Sequence, residues 1–311
     1  MVRSTRSIPI YRNAFVIYNP RAGKLIGGGN SLLERILESL RRGGHTVTPA
    51  ATTGPQTAGG IAARCLAGGA DLILAAGGDG TVNEVIQGMA GSHVPLGVLP
   101  AGTANVLGHE LGLNSHADRV AAQVGRMVSR RVALGLLEAQ VRRWFLLMAG
   151  IGLDAQVVYN LKLDWKDRLG KAAYWMAGAR LTASRLPGFE VEVDGRRLHS
   201  GFTLVSRVRN YGGDFRIAPT ATLLDDTFEV VLFRERHSAS YLKYLAGMMA
   251  NRLARMRGVT VLRARHLRLE PCGGDTVHVQ VDGELAARLP ASIELAPGAL
   301  SLLMPPGYPV E

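Results

Sequence analysis

An α/β domain with a parallel sheet, followed by a mostly antiparallel β half, is the fold class this sequence predicts. Three observations carry that prediction. Strand-length apolar runs alternate with helical periodicity from Ala14 to about Met127, short β runs separated by turn dipeptides take over after about Arg131, and glycine-containing loops close several of the early strands. The 311 residues suffice for two ordinary domains, and 47% hydrophobic with 20% charged residues is a normal globular composition.

In the first half, Ala14–Tyr18 reads as a strand and Asn30–Arg42 as a helix, with Leu32, Leu33, Ile36, Leu37 and Leu40 at helical spacing. His45–Ala51 is a second strand, Ala58–Ala67 a helix, Leu72–Ala76 a third strand, Val82–Ala90 a helix and Pro95–Leu99 a fourth strand. That order implies parallel pairing, and parallel sheets bind ligands at the carboxyl ends of their strands, near a topological switch. In the second half, Val132–Gln140, Trp144–Met148, Phe189–Val193, Gly201–Val208, Thr227–Phe233, Leu267–Glu270, Val277–Val281 and Ser292–Leu295 read as short strands. Asp194-Gly195 and Asp282-Gly283 are hairpin-turn dipeptides. This half is a sandwich or a barrel, with helical insertions near Trp165–Ala183 and Ala239–Arg257. The expected domains are 1–131 and 132–311, the boundary falling within about 128–140 and the last residues returning to the first domain.

Composition narrows the function. No apolar run is long enough for a membrane-spanning helix, and Arg3 and Arg6 are followed by no long apolar core, so no signal peptide is expected. Cys65 and Cys272 match no zinc or redox spacing and read as small buried residues of a cytosolic protein. The formal net charge of +11 suits nucleic acid, anionic lipid or acidic substrates. Zinc-finger spacing and an aromatic RNP strand are missing, which favours a membrane surface or a nucleotide and leaves nucleic acid unexpected.

The strongest local signal is Gly77-Gly78-Asp79-Gly80-Thr81, a glycine turn between a strand and a helix. Backbone N–H groups at a helix start suit phosphate, but a bare Asp79 carboxylate would repel it. A divalent cation between them resolves the conflict, because magnesium joins carboxylates to nucleotide phosphates. The alternative is a tight turn in which Asp79 caps the helix. Asn19-Pro20-Arg21-Ala22-Gly23-Lys24 and Pro100-Ala101-Gly102-Thr103-Ala104-Asn105 also follow strands directly, and three such loops on one edge make a site. Thr103 can serve a ligand, cap a helix, or both. Gly150-Ile151-Gly152-Leu153-Asp154-Ala155 imitates a dinucleotide fingerprint, but it lies in the β half, and Leu169–Ala179 holds no ribose-binding acid. Asp225, Asp226, Asp282 and Glu284 place acids on turns of the β half, where kinase chemistry could use them to hold metal or to take a hydroxyl proton. Walker A, protein-kinase, zinc-hydrolase and serine-hydrolase patterns are missing.

Together these segments resemble the diacylglycerol-kinase-like lipid kinases, the group that includes bacterial diacylglycerol kinases, sphingosine kinases and ceramide kinases. The resemblance runs from Asn19 to about Pro305. It rests on Asn-Pro-x-x-Gly at 19–23, Gly-Gly-Asp-Gly-Thr-x-Asn-Glu at 77–84, Pro-x-Gly-Thr-x-Asn at 100–105, Pro-x-Ala at 219–221 with the acids at 225–226, and Asp-Gly-Glu at 282–284. It implies a nucleotide domain, a C-terminal β-sandwich and an active site in the cleft between them.

By similarity, Asn19, Pro20, Arg21, Ala22, Gly23, Thr53, Gly77, Gly78, Asp79, Gly80, Thr81, Val82, Asn83 and Thr103 would contact ATP, with Asp79 meeting the nucleotide's Mg2+. Asp282 and Glu284 would be the catalytic acids, one of them accepting the lipid hydroxyl's proton. Asp226, with the carbonyls of Leu223 and Phe228, would match a second magnesium site, although Thr227 stands where bacterial members usually have glycine.

The implied protein is an ATP-dependent kinase of diacylglycerol or a related lipid, peripheral to the cytoplasmic membrane face, and the resemblance admits a homodimer. Trp165–Leu186 and Tyr241–Arg257 are basic and amphipathic, which suits either an anionic membrane surface or packing on the sandwich. An NAD kinase also uses Gly-Gly-Asp-Gly, but the other motifs argue against it. A non-catalytic regulator would not need the intact acids.

Overall fold

The computed structural model describes residues 9–22, 31–113, 116–153, 186–211, 215–235, 237, 240–250 and 252–309. It divides into two compact units: the chain up to Val132 together with the chain from Gly298, and Ala133–Pro297.

In the first unit, β1 (Ala14–Tyr18), β2 (Val47–Ala51), β3 (Leu72–Gly77) and β4 (Pro95–Pro100) pair in parallel in the order β2-β1-β3-β4. The buried LILAAG run of β3 sits at the centre and reads as a continuous apolar stretch, as a strand covered on both faces must. The chain leaves β1 for β2 on one side and crosses to β3 on the other, so the topological switch lies between β1 and β3. The helices are α1 (Leu32–Arg42), α2 (Ala58–Ala67), α3 (Asp79–Met89), α4 (Val106–Glu110) and α5 (Ala117–Ala121).

Ser31 starts α1 with a reciprocal capping box: its hydroxyl takes the Glu34 amide while the Glu34 carboxylate takes the Ser31 amide. Such a cap contributes about 1 kcal/mol. On α2, Gly59 backs onto α3, where a Cβ would stand 2.8 Å from the Glu84 carbonyl; glycine here permits close helix packing. His45 is buried just before β2 and accepts the Tyr11 amide on Nδ1.

The second unit is an antiparallel sandwich. One sheet runs β14 (Val259–Ala264), β13 (Phe228–Phe233), β10 (Phe202–Ser206), β7 (Met148–Gly152), β16 (His278–Val281), β17 (Glu284–Arg288), while β11 (Asn210–Tyr211) and β12 (Phe215–Arg216) pair as a short separate ladder. The other contains β15 (His266–Pro271), β8 (Phe189–Val193) and β9 (Arg196–Ser200), paired through β15 to the first residues of β18 (Ala291–Met304), with β5 (Val128–Glu138) and β6 (Arg142–Phe145) alongside. Phe145, Phe189, Phe228, Val230, Leu267, Val279 and Ile293 form its core, and the Phe145 and Phe228 rings stack at 5.7 Å. β5 and β18 each continue from one unit into the other. Within the first unit, Ser301 and Leu302 of β18 pair in parallel with Pro95 and Leu96, and the Tyr308 hydroxyl reaches the buried Glu110 carboxylate at 2.9 Å.

The expected Trp144–Met148 strand is two strands, because a turn at Leu146 and Leu147 is drawn onto Asp282. Gly150 and Gly152 lie in fully buried β7. The Ala239–Arg257 insertion contains α6 (Ser240–Met249), whose buried Tyr244 ring meets Phe233 at 5.0 Å. At Tyr244, therefore, the helix packs on the sandwich. Lys243 pairs with Glu235 at 3.5 Å. The Trp165–Ala183 insertion lies outside the described residues.

Candidate active site

The loops after β1, β3 and β4 all leave carboxyl ends of parallel strands. Asn19 closes the first: its side-chain carbonyl takes the Arg21 amide at 2.9 Å and its main-chain carbonyl takes the Ala22 amide at 3.0 Å. That Asx turn leaves Pro20 and Arg21 exposed. Gly23 lies outside the described residues.

The second and third loops meet backbone to backbone. A Cβ on Gly78 would stand 3.3 Å from the Gly102 Cα, and one on Gly102 would stand 3.0 Å from the Gly78 amide nitrogen and 2.9 Å from Asn105 Oδ1. Gly102 has no room for a side chain, and a Cβ at Gly78 would press the Gly102 backbone back by a few tenths of an ångström. Gly77 is equally constrained, since its Cβ would stand 2.6 Å from Thr81 Oγ1. Asn105 adopts φ 47° and clamps Gly102 from both sides, accepting its amide and donating to its carbonyl, each at 2.9 Å. Asparagine tolerates that left-handed conformation better than most residues. Asn105 is thus a loop clamp. Thr103 is exposed at the loop tip.

α3 begins at Asp79, and Val82 is its first amide with an intrahelical acceptor, the Gly78 carbonyl at 3.1 Å. A helix start leaves the preceding amides for other partners, which suits Gly80 and Thr81 to phosphate. Val82 and Asn83 do not share that position: both side chains are buried, and Asn83 engages Gln87 one turn on. Their side chains thus support α3 from within. Thr52, not Thr53, is buried, with its amide on the Tyr18 carbonyl. Thr53 is exposed and lines an open depression with Ala50, Gln56, Thr57, Gly60 and Arg64.

Asp79 caps a helix, though not its own. Its two carboxylate oxygens accept the Val106 and Leu107 amides of α4 at 3.0 and 3.2 Å. Each oxygen has a second lone pair, and the carboxylate is only half-buried, so it fits a magnesium ion shared with phosphate oxygens and water. The capping role went unread because Val106 and Leu107 are 27 and 28 positions away in sequence. Glu84, the last residue of the same motif, was equally unread: it accepts the Ala58 amide at the start of α2.

In the second unit, Asp282 and Gly283 form the two-residue turn between β16 and β17, with φ of 47° and 83°, the pattern of a type I′ hairpin. Asp282 is 7% exposed and accepts three amides, from Leu146, Leu147 and Met148, at 2.9–3.0 Å. Glu284 is partly exposed and pairs with Arg143 at 2.5 Å. The two acids divide the work: Asp282 organises the β6–β7 turn and Glu284 presents a carboxylate beside a cation. Arg143, a partner within the same unit, carried no local sequence signal.

The residues expected to hold a second magnesium ion already have other engagements in this structure. The Leu223 carbonyl accepts a hydrogen bond from the buried Arg207 guanidinium at 2.7 Å, Asp226 is exposed with its carbonyl on Arg265 Nε at 2.8 Å, and Phe228 is a core residue in register with Ala264. Among the described residues, the metal-ligating side-chain atoms that gather within 4.8 Å belong instead to Glu190, His199 and Cys272, on β8, β9 and just past β15. Cys272 is accordingly half-buried beside His199, whereas Cys65 is buried, where desolvation pushes its thiol up.

Glycine loops that close parallel strands and a hairpin carboxylate on an antiparallel sandwich are parts that phosphoryl transfer can use. Residues 13–137 match the diacylglycerol kinase catalytic domain, and residues 148–304 match the YegS C-terminal NAD kinase beta sandwich-like domain. The chain belongs to the diacylglycerol-kinase-like lipid kinase family and is a kinase.

Among curated relatives, a diacylglycerol kinase of Bacillus subtilis (strain 168) is 28% identical over 90% of this chain and 92% of its own length. One from Mycobacterium tuberculosis is 29% identical over 79% and 80%. A crystal structure described as a diacylglycerol kinase from Bacillus anthracis str. Sterne shares the fold with a TM-score of 0.74 at 22% identity, covering 95% of this chain and 98% of that one.

Proposed function

We propose that this kinase uses ATP to phosphorylate a hydroxyl of diacylglycerol or a related lipid, acting peripherally at the cytoplasmic membrane face. The observation that supports this most is the glycine-to-glycine contact of Gly78 with Gly102, which brings two backbone loops together beside the switch point without an intervening side chain. On this reading the Gly77–Thr81 and Pro100–Asn105 loops bind the triphosphate, and the Asn19–Ala22 turn supplies further backbone contacts. Asp79 would hold Mg2+, which supplies charge neutralisation at the phosphates when bound.

Glu284 is the better of the two acids to receive the lipid hydroxyl's proton, because its carboxylate is partly accessible while Asp282 spends its oxygens on three buried amides. Arg143 pairs with the Glu284 carboxylate and so helps to orient it.

The test is phosphorylation of a total lipid extract in mixed micelles with radiolabelled ATP, followed by identification of the product. Label in phosphatidate or another lipid phosphate is the expected result. Label in added NAD and in no lipid would overturn the substrate class, and no transfer from ATP to any acceptor by folded protein would overturn the donor.

A further inference from the structure

We infer that in the Ala218–Phe228 loop the guanidinium of Arg207 takes the structural place of a divalent cation, so this loop is ordered without metal. Arg207 follows β10 directly and is 0% exposed. Its two terminal nitrogens donate to two backbone carbonyls of the loop, Leu223 at 2.7 Å and Asp225 at 3.1 Å. A guanidinium keeps its charge when buried and presents its donors in a rigid planar fork. Converging carbonyl dipoles are what such a buried cation needs, and they are also what a hard metal ion would seek.

The two occupants exclude each other. Magnesium demands near-octahedral oxygen ligation at about 2.1 Å, so an ion on the Leu223 carbonyl would lie within roughly 5 Å of the guanidinium nitrogen already bound there. Like charges at that separation in a buried setting repel strongly.

Two further arginines complete the clamp. Arg265 Nε donates to the Asp226 carbonyl at 2.8 Å. Arg263 donates to the Asp225 carboxylate at 2.9 Å, to the Thr220 carbonyl at 3.1 Å and to the Thr227 hydroxyl at 3.3 Å. The loop carbonyls at 220, 223, 225 and 226 thus each accept from an arginine. Thr227 joins the same network through an oxygen that glycine lacks, which gives the departure at this position a physical reason. The buried Glu229 carboxylate anchors the loop's start, taking the Thr220 amide and hydroxyl at 3.0 and 2.7 Å. Glu229 also stands opposite Ser206, the residue before Arg207, in the β10–β13 register.

The inference concerns this loop alone and stands apart from any magnesium carried by a nucleotide at Asp79. Nucleotide-free wild-type protein is compared with and without chelator, and across a Mg2+ and Mn2+ titration. The readouts are the thermal midpoint, hydrogen exchange over residues 218–228, and paramagnetic broadening by Mn2+.

The midpoint and loop exchange are expected to stay unchanged, with no broadening at the loop, while Arg207→Gln accelerates loop exchange at least tenfold. Wild-type loop exchange that rises on chelation and falls again with Mg2+, or Mn2+ broadening centred on residues 223–228, would overturn the inference. Should Arg207→Gln fail to fold, the wild-type measurements decide by themselves.

Discussion

Asp282 and Glu284 stand two residues apart on one hairpin, yet the structure gives them different duties. Replacing Asp282 by Ala removes the acceptor of three buried amides and puts alanine at a positive φ that aspartate tolerates better. An unsatisfied buried donor costs about 1–3 kcal/mol, so this variant should lose about 3 kcal/mol or more in denaturant unfolding. Glu284→Gln disturbs only a partly exposed ion pair, worth about 1 kcal/mol or less. It should keep its unfolding midpoint while turnover falls by about 100-fold or more. Equal stability losses in both variants would erase the distinction.

His45 adds a pH dependence. Burial pushes its imidazole below the usual range, with the Asp71 charge opposing more weakly, and its Nδ1 is committed as an acceptor to the Tyr11 amide. The unfolded chain therefore binds this proton more readily than the folded one. Stability is present in full above about pH 6.5 and is lost as pH falls toward the depressed folded value. His278, lowered by burial and by Arg288, adds a loss of the same sign in its own unit. His45→Gln should flatten the slope of unfolding free energy against pH below about 6.5.

At the scale of elements, the two facing glycines make a sharper test of the cradle than its carboxylate does. Asp79→Ala also removes the cap of α4, so it should cost about 1 kcal/mol of stability besides any loss of transfer. Gly102→Ala instead forces a methyl group against the Gly78 backbone and Asn105 Oδ1. It should separate the β3 and β4 loops and weaken nucleotide binding at least tenfold by calorimetry, with about 1–3 kcal/mol of destabilisation. Gly307→Ala, where a Cβ meets nothing within 4 Å, serves as the matched control and should bind nucleotide normally.

The elements that the sequence disclosed are those whose cause is local. β1 and α2 begin and end at the expected residues because apolar runs, helical spacing and glycine stops lie within each segment. The three loops at the strand ends were legible for the same reason. What stayed hidden depends on distant partners: Asp282 splitting the 144–148 segment into two strands, Asp79 capping α4, Glu84 capping α2, and Arg207 occupying the Leu223 and Asp225 carbonyls. β9 and β17 were missed because arginine and small residues dilute their alternation, and pairing across the sheet supplies what intrinsic preference lacks, whereas β14, with strand-forming Val259, Thr260 and Val261, follows directly on the helical insertion.

At the scale of the whole molecule, charge is a feature available for meeting a membrane, and among the described residues exposed apolar surface is not. Among the described residues the large apolar side chains left exposed are Ile10 and Val141, and no helix is long and apolar enough to cross a bilayer. The formal charge is +11. A basic residue near an anionic leaflet contributes about 1 kcal/mol, and the attraction decays over a Debye length of about 10 Å at 0.1 M salt and about 3 Å at 1 M.

On the proposed reading, peripheral association should follow anionic lipid content and ionic strength. In co-sedimentation, vesicles rich in phosphatidylglycerol should carry the protein down at low salt, purely zwitterionic vesicles should not, and raising salt toward 1 M should release it. Binding that survives high salt and ignores lipid charge would require apolar insertion instead. For α6, Tyr244 is already committed to Phe233 and Lys243 to Glu235, so insertion through those side chains would have to break both contacts.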